Sequence, residues 1–358
     1  MKLTVEMVTD ALRNVIEPEL HKDLVSLKMV ENIQVAGESV ELTVVLTTPA
    51  CPLSKKIEKE VKEAVLAIPG VSSVKVNMTA RVPSDGKNRE VLSLPVKNVV
   101  AVASGKGGVG KSTVAVNIAV ILAQKGASVG LLDADIYGPN IPTMMGVDSL
   151  PPPEDGRLVP AKAYGVKLMS IGFMVRKGQP LIWRGPMLHS AIRQFLADVN
   201  WGELDYLIID LPPGTGDAQL SLMQHVPLSG GVIVTLPQQV SLEDAERGLQ
   251  MFTEMNVPVL GIVENMSYLP MPDGSKMDLF GNGGGRRMAE RLGIPFLGEI
   301  PVEPAVRIGG DSGKPIALSD PTSAAAQSLT RIAEAMAAQI SIAALTGAPA
   351  GEPKQGNE

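Results

Sequence analysis

The densest chemistry in the chain lies in Gly105-Lys106-Gly107-Gly108-Val109-Gly110-Lys111-Ser112, followed by Thr113. Glycines let successive backbone N–H groups turn toward one point, and a helix starting there adds unpaired donors and partial positive charge, so the spot favours phosphate oxygens. Lys111 is placed to reach the β- and γ-phosphates of a nucleotide, and the Ser112 hydroxyl to face Mg²⁺, a hard ion that takes oxygen ligands. Lys106 is a second lysine in the same loop. The apolar run 99–103 reads as a strand entering the loop and 113–125 as a helix leaving it, which is the context this pattern needs.

Two later strands end in carboxylates. One runs 128–135 and closes on Asp133 and Asp135; the other runs 204–210, closes on Asp210 and continues through Pro212-Pro213-Gly214-Thr215-Gly216 to Asp217. Carboxylates just past the C-terminal ends of parallel strands lie where an open α/β sheet binds its ligand. Asp210 is expected to hold Mg²⁺ through water, and Asp133 or Asp135 to orient an attacking water. A lone Asp at a strand end is often only a helix cap, so the inference rests on the ordered set.

Elements that must position these groups follow in alternation. Strands over 232–237, 259–263 and 296–301, with helices over 241–255 and 324–344, predict a mostly parallel sheet flanked by helices, joined by right-handed crossovers. The expected fold class is α/β, a P-loop domain over 96–345, preceded by a small α+β domain over 1–80 with helices at 5–15 and 53–67 and strands at 40–46 and 71–77. The polar stretch 81–95, with Pro83 and Gly86, reads as a linker, and 346–358, rich in Gly, Pro and Ala, as a disordered tail.

The small domain holds the only cysteine, Cys51, in Thr47-Thr48-Pro49-Ala50-Cys51-Pro52 at a strand-to-helix turn. A thiol at a helix N-terminus is biased toward thiolate, the form that binds iron, and Lys55 and Lys56 push the same way. The alternative is a small buried core residue. One cysteine rules out an intrachain disulfide framework. A chain of 358 residues, 45% hydrophobic, can bury a large core and is too long for one average domain. No apolar stretch nears the roughly 20 residues that span a bilayer, and the first residues carry no secretion signal, so a cytoplasmic setting is expected. A net charge of −6 argues against nucleic-acid coating.

These residues resemble the deviant-Walker-A ATPases, and within them the Mrp/ApbC iron–sulfur cluster carriers. The match rests on the loop, on 133–142 (Asp-Ala-Asp-Ile-Tyr-Gly-Pro-Asn-Ile-Pro), on Trp183-Arg184-Gly185-Pro186-Met187, on 210–217, and on Glu264-Asn265-Met266-Ser267, and runs nearly end to end. The resemblance implies slow hydrolysis of ATP with Mg²⁺, a homodimer, and an iron–sulfur cluster, expected to be a labile [4Fe–4S] centre, passed from a donor to apo-protein clients. It implies that Lys106 reaches the partner subunit's nucleotide, against the plainer reading that it touches its own phosphates. It makes Asp135 the water-orienting carboxylate, Asp217 the end of a switch loop, Asn265 an adenine contact and Cys51 a cluster ligand. No nucleic-acid or membrane partner is expected.

Where most of that family carries a Cys-x-x-Cys pair, this chain has Met271-Pro272-Asp273-Gly274. Three readings remain: a cluster on Cys51 from each protomer with outside ligands, a transient cluster or persulfide on Cys51, or nucleotide-gated client binding without a cluster. A family branch in photosynthetic organisms, which this stretch resembles, lacks the pair too and is implicated in cluster transfer, which favours the first two. His21, His189 and His225 are dispersed and read as surface or structural residues. The competing class is a positioning or adaptor ATPase of the MinD/ParA type; its membrane members end in a basic amphipathic helix, which 324–344 lacks.

Overall fold

The two apolar patterns in the chain fold into two kinds of sheet, one with a solvent face and one buried on both sides. The computed structural model describes residues 3–89, 94–174 and 185–346, except for the side chains of 185–189, 217, 218, 221 and 225. These residues fall into two units, Met1–Pro83 and Ser84–Glu358.

The smaller unit runs α1 (Val5–Leu12), β1 (Ile16–Glu17), β2 (Lys22–Asp23), β3 (Val30–Ala36), β4 (Ser39–Leu46), α2 (Ser54–Leu66) and β5 (Ser73–Ala80). Its main sheet has the order β3-β4-β5, antiparallel then parallel. Val40, Leu42 and Val44 alternate inward along β4 and meet Ile57, Val61 and Val65, spaced four apart on α2. Thr4 caps α1 by accepting from the Met7 N–H at 3.3 Å. The helix stops at Leu12, short of the expected Val15, where the chain turns into β1. Strand β3 was not legible: Asn32 at φ 54° and a register shift between Glu31 and Gln34 break its alternation.

The larger unit runs β6 (Val96–Ala103), α3 (Lys111–Gln124), β7 (Val129–Asp133), α4 (Ile141–Met144), β8 (Ala161–Ala163), β9 (Val166–Ser170), α5 (Gly185–Ala197), β10 (Leu204–Asp210), α6 (Asp217–His225) and β11 (Gly230–Thr235). It continues with α7 (Gln239–Glu254), β12 (Val259–Glu264), β13 (Leu269–Pro270), β14 (Lys276–Met277), α8 (Gly284–Leu292), β15 (Phe296–Glu299), α9 (Pro304–Asp311), α10 (Ile316–Ser319) and α11 (Ala324–Thr346). The eight-stranded sheet has the order β15-β12-β11-β6-β10-β7-β9-β8, and only the edge pair β8–β9 is antiparallel. Strands β8 and β9 and helix α5 extend the sequence reading. Trp183 and Arg184, and the expected tail beyond Thr346, lie outside the described residues.

This order decides where the chemistry sits. Strand β6 is central, so the glycine loop leaves the middle of the sheet. Strand β10 inserts between β6 and β7 and pairs Asp210 with Asp133 across the strand ends. Helix α3 is buried almost all round because α11 covers its outer face, and Asn117 on α3 accepts the Ala317 N–H at 3.0 Å.

One correction concerns the expected linker over 81–95. Its polar residues are not all turned to water: Arg89 is 5% exposed and pairs with Asp85 against the turn before β11. Burial pushes the Asp85 carboxyl up, but hydrogen bonds from Arg89 and Ser229 outweigh it and hold it below its ordinary value. Polar composition marked a connector, and within it these two charges pair with one another.

Phe252 on α7 is fully buried and lies over Gly231 of β11, where a Cβ would approach its ring to 2.3 Å. Phe252→Ala is expected to destabilise the larger unit by about 3–5 kcal/mol, the usual cost of an emptied aromatic site. Denaturant unfolding reads the change, and a loss under about 1 kcal/mol would contradict this packing.

Candidate functional site

The glycine loop is shaped by what presses on it. At Gly105 a Cβ would lie 2.1 Å from the backbone carbon of Asp244, so the loop's entry touches the main chain of α7. Gly108 and Gly110 have φ of 79° and 85°, the left-handed region that favours glycine. Gly110 also faces Asn265, whose Nδ2 would be 2.1 Å from an added Cβ. That amide donates to the Val109 carbonyl at 2.8 Å, tying the end of β12 to the loop. The loop then opens directly into α3, which begins at Lys111.

Beneath the loop is a buried charge cluster. The Lys111 ammonium donates to Asp210 Oδ1 at 2.7 Å and lies 3.4 Å from Asp135 Oδ2. Ser112 Oγ donates to Asp210 Oδ2 at 2.5 Å. Asp133 accepts from the Asp135 N–H at 3.2 Å, the Ile141 N–H at 3.3 Å and Ser170 Oγ at 2.8 Å. Asp210 and Asp133 are both fully buried. Burial, with the Asp210 charge next in size, pushes the Asp133 carboxyl up to about 8. Burial also pushes Asp210 up, against the pull of Lys111. Ser112 and Asp210 form an oxygen-only donor pair in a site rich in charge, which fits a Mg²⁺ ion.

Two cavities meet above the cluster. One of about 430 Å³ is lined by Gly107, Gly108, Lys111, Ser112, Asp135 and Pro213, among others. The second, about 720 Å³, is lined by Asn265, Ile300, Pro301, Val302, Pro304 and neighbouring residues. They share Gly110, Thr113, Asn140, Met144 and Met266. A small compartment at the loop, bordered by Lys111, Ser112 and Asp135 and joined to a larger, mostly apolar one, suits a phosphate chain joined to a base.

Of the sequence-derived candidates, Gly107, Gly108, Gly110, Lys111, Ser112, Thr113, Asp135 and Asn265 line the two cavities; Asp210 and Asp133 lie bonded beneath them, the Val109 carbonyl holds Asn265, and Gly105 packs on α7. Lys106 is half-buried, its carbonyl accepting from Ser104 Oγ at 2.9 Å, and among the described residues its ammonium has no ion pair. Asp217 opens α6, with its side chain outside the described residues. Asn140, Met144, Met266 and Ser170 were not singled out as site residues. Ser170 had no signal because it comes from the unread strand β9, between β7 and the edge strand β8.

Glu264 was also missed as a chemical group. Fully buried, it accepts from Ser267 Oγ at 2.5 Å and from the Gly283 and Gly285 N–H groups at 3.1 and 2.6 Å, so the Gly-rich segment before α8 already holds an anion of its own chain. Between these points, Met271–Gly274 is the turn of the β13–β14 hairpin, with Gly274 at φ 83° and Asp273 accepting from the Ser275 N–H at 2.9 Å.

Cys51 lies in the β4–α2 loop of the smaller unit, half-buried against its core. The helix begins at Ser54, one residue later than the expected 53, and it is the Cys51 carbonyl that accepts from the Ser54 N–H, at 3.4 Å. Lys56 pairs with Glu60 at 3.8 Å. Two residues of turn separate the thiol from the helix end, so the dipole argument is weaker than read. His21 is exposed; the side chains of His189 and His225 lie outside the described residues. Among the described residues no group of three or more His, Cys, Asp or Glu side chains gathers as a metal site, and no helix is long and apolar enough to cross a membrane.

Central parallel strand, glycine loop and buried acidic cluster define a P-loop NTPase. The family model described as NUBPL iron-transfer P-loop NTPase matches residues 95–337, and one described as iron-sulfur cluster assembly protein matches residues 5–78. The chain belongs to this iron-transfer P-loop NTPase family. It is 54% identical to the iron-sulfur cluster carrier protein of Synechocystis sp., over 96% of this chain and 99% of that one. It is 52% identical to the protein of the same name from Deinococcus radiodurans, over 95% and 96%. Among solved structures it is similar to the nucleotide-binding protein of Archaeoglobus fulgidus in complex with ADP, with 41% identity, TM-score 0.57, and coverage of 64% of this chain and 92% of that one.

Gly110→Ala would force a side chain into the left-handed region and onto the Asn265 amide. Backbone strain of this kind costs on the order of 1–3 kcal/mol, so affinity for MgATP is expected to fall by roughly 5- to 150-fold. Titration calorimetry reads this, and unchanged affinity would contradict the loop geometry.

Proposed function

We propose that the chain is a homodimeric, ATP-hydrolysing carrier that binds an iron–sulfur cluster and transfers it to apo-proteins in the cytoplasm. The carrying observation is the buried Lys111–Asp210–Ser112 cluster under the loop, in a chain whose N-terminal unit matches the assembly-protein family. The ADP-bound state of the similar Archaeoglobus protein and the carrier names of the curated relatives support the two halves of the reading.

In this reading the loop N–H groups and Lys111 hold the β- and γ-phosphates. Ser112 and, through water, Asp210 hold Mg²⁺, which neutralises phosphate charge. Asp135, which borders the smaller cavity and is fixed by accepting the Tyr137 N–H at 3.1 Å, orients the attacking water. Asp133 stays bonded to Ser170 and braces the Asp135 backbone. Lys106, with no ion pair among the described residues, is available to the partner subunit's phosphates. Asn265 has its amide N–H₂ on Val109 and offers its carbonyl to the adenine amino group. Asp217 closes the loop that follows Asp210.

The cluster is cargo. One cysteine per chain cannot supply the four thiolates of a [4Fe–4S] centre. Cys51 from each protomer, completed by ligands from a donor, a client or a small thiol, gives a labile and therefore transferable site.

Lys111→Ala and Asp135→Ala are expected to reduce ATP turnover to background, measured by phosphate release; turnover near the parent rate in either variant would contradict its assigned role. Cys51→Ser is expected to end cluster transfer to an apo-ferredoxin-type acceptor while MgATP affinity is retained. Transfer at the parent rate by that variant would remove Cys51 from the cargo site.

A further inference from the structure

One buried ion pair of the larger unit has no part in the scheme above. Arg89 and Asp85, 3% and 10% exposed at their side chains, form a two-pronged pair, Nη1 to Oδ1 at 2.8 Å and Nη2 to Oδ2 at 2.6 Å. Arg89 Nε and Nη2 also donate to the Pro227 carbonyl, at 3.0 and 2.7 Å. Asp85 accepts from Ser229 Oγ at 2.6 Å, and the Lys87 ammonium donates to the Leu228 carbonyl. Residues 85–89 thus grip Pro227, Leu228 and Ser229 one after another. Burying such a pair is costly unless its hydrogen bonds are satisfied, and a polar chain in water would serve equally well as a mere tether.

The gripped turn lies at the far end of α6. That helix starts at Asp217, directly after the segment that runs from Asp210 past Pro213, which borders the phosphate cavity. Gln219, 2% exposed in its first turn, donates to the Pro212 carbonyl at 2.9 Å. Nine residues of helix span about 13 Å. One end is bonded to the loop beside the phosphates. The other abuts the stretch that leads, through Ser84 and Pro83, into the smaller unit.

We propose that α6 and the Asp85–Arg89 clamp form a link through which the phosphate state of the nucleotide site changes the hold on the segment joining the two units. The inference rests on the nucleotide reading above. A forked Arg–carboxylate pair is either made or broken, which suits a two-position element. A shift of α6 moves the Pro227 carbonyl, and with it the acceptor that completes the Arg89 fork.

Trypsin tests this on the full chain, because Arg81, Lys87 and Arg89 are cleavage sites in the segment and cleavage tracks clamp opening when reclosing is fast. With Mg²⁺ present, cleavage within 81–89 is expected to differ about fivefold or more between a non-hydrolysable ATP analogue and ADP. In R89K, which keeps the charge and loses the fork, and in D85N, cleavage is expected to be fast with either nucleotide while nucleotide affinity stays at the parent value. Equal cleavage of the parent chain with both nucleotides bound would overturn the link. So would a parent-like nucleotide response in folded R89K or D85N. Failure of the parent chain to bind either nucleotide would instead strike the nucleotide reading, and the link with it.

Discussion

Asp210 is the constraint around which the larger unit is organised: a carboxylate with no exposure, at the end of a central strand, beside a second buried carboxylate, Asp133. Two such groups in a dry interior repel and are each poorly solvated, so a bare pair would cost several kcal/mol. The Lys111 ammonium and the Ser112 hydroxyl bond the first, and Ser170 with two backbone N–H groups bonds the second. The compensating charge is therefore the same lysine that must serve phosphate. That shared duty links the stability of the strand ends to the occupancy of the loop.

Strand order creates this situation. Inserting β10 between β6 and β7 brings three chemically distinct strand ends together, and covering both sheet faces with helices removes water from beneath them. The loop is then fixed from two further sides, by the α7 backbone at Gly105 and by Asn265 at Val109. A loop fixed at so many points presents its N–H groups in a set geometry before a ligand arrives, which is the physical content of preorganisation.

Much of this was legible because local pattern and chemistry coincide: the run before Gly105 is rich in valine, the run after Ser112 is helical, Asp133 and Asp210 end apolar strands, and Asp135 lies two residues past the first. What was not legible depended on tertiary context. Edge strand β8 and its neighbour β9 are only three and five residues long. Strand β3 is masked by its bulge at Asn32. Glu264 was read only as part of the 264–267 motif, and it binds the N–H groups at the start of a helix twenty residues further on. The pairing of Arg89 with Asp85 inside the linker stretch was not legible, since sequence shows neither the Pro227 carbonyl nor Ser229. The helix start beyond Cys51 falls one residue later than expected, because Leu53 is the residue that caps it.

The smaller unit supplies the one group that distinguishes this chain from a nucleotide switch alone. Where relatives of its type were expected to carry paired cysteines, the hairpin turn 271–274 is closed by Asp273 and Gly274, and the one cysteine of the chain is Cys51 in the other unit. In the proposed reading, cargo and fuel sit on separate units of one polypeptide. The central claim is that the first is governed by the second. Its most direct test is anaerobic reconstitution of the purified chain, counting iron and sulfide retained after desalting with and without MgATP. The account expects roughly four of each per dimer, with retention that changes when MgATP is added. A chain that retains no iron, or retains it identically whatever the nucleotide, would contradict it.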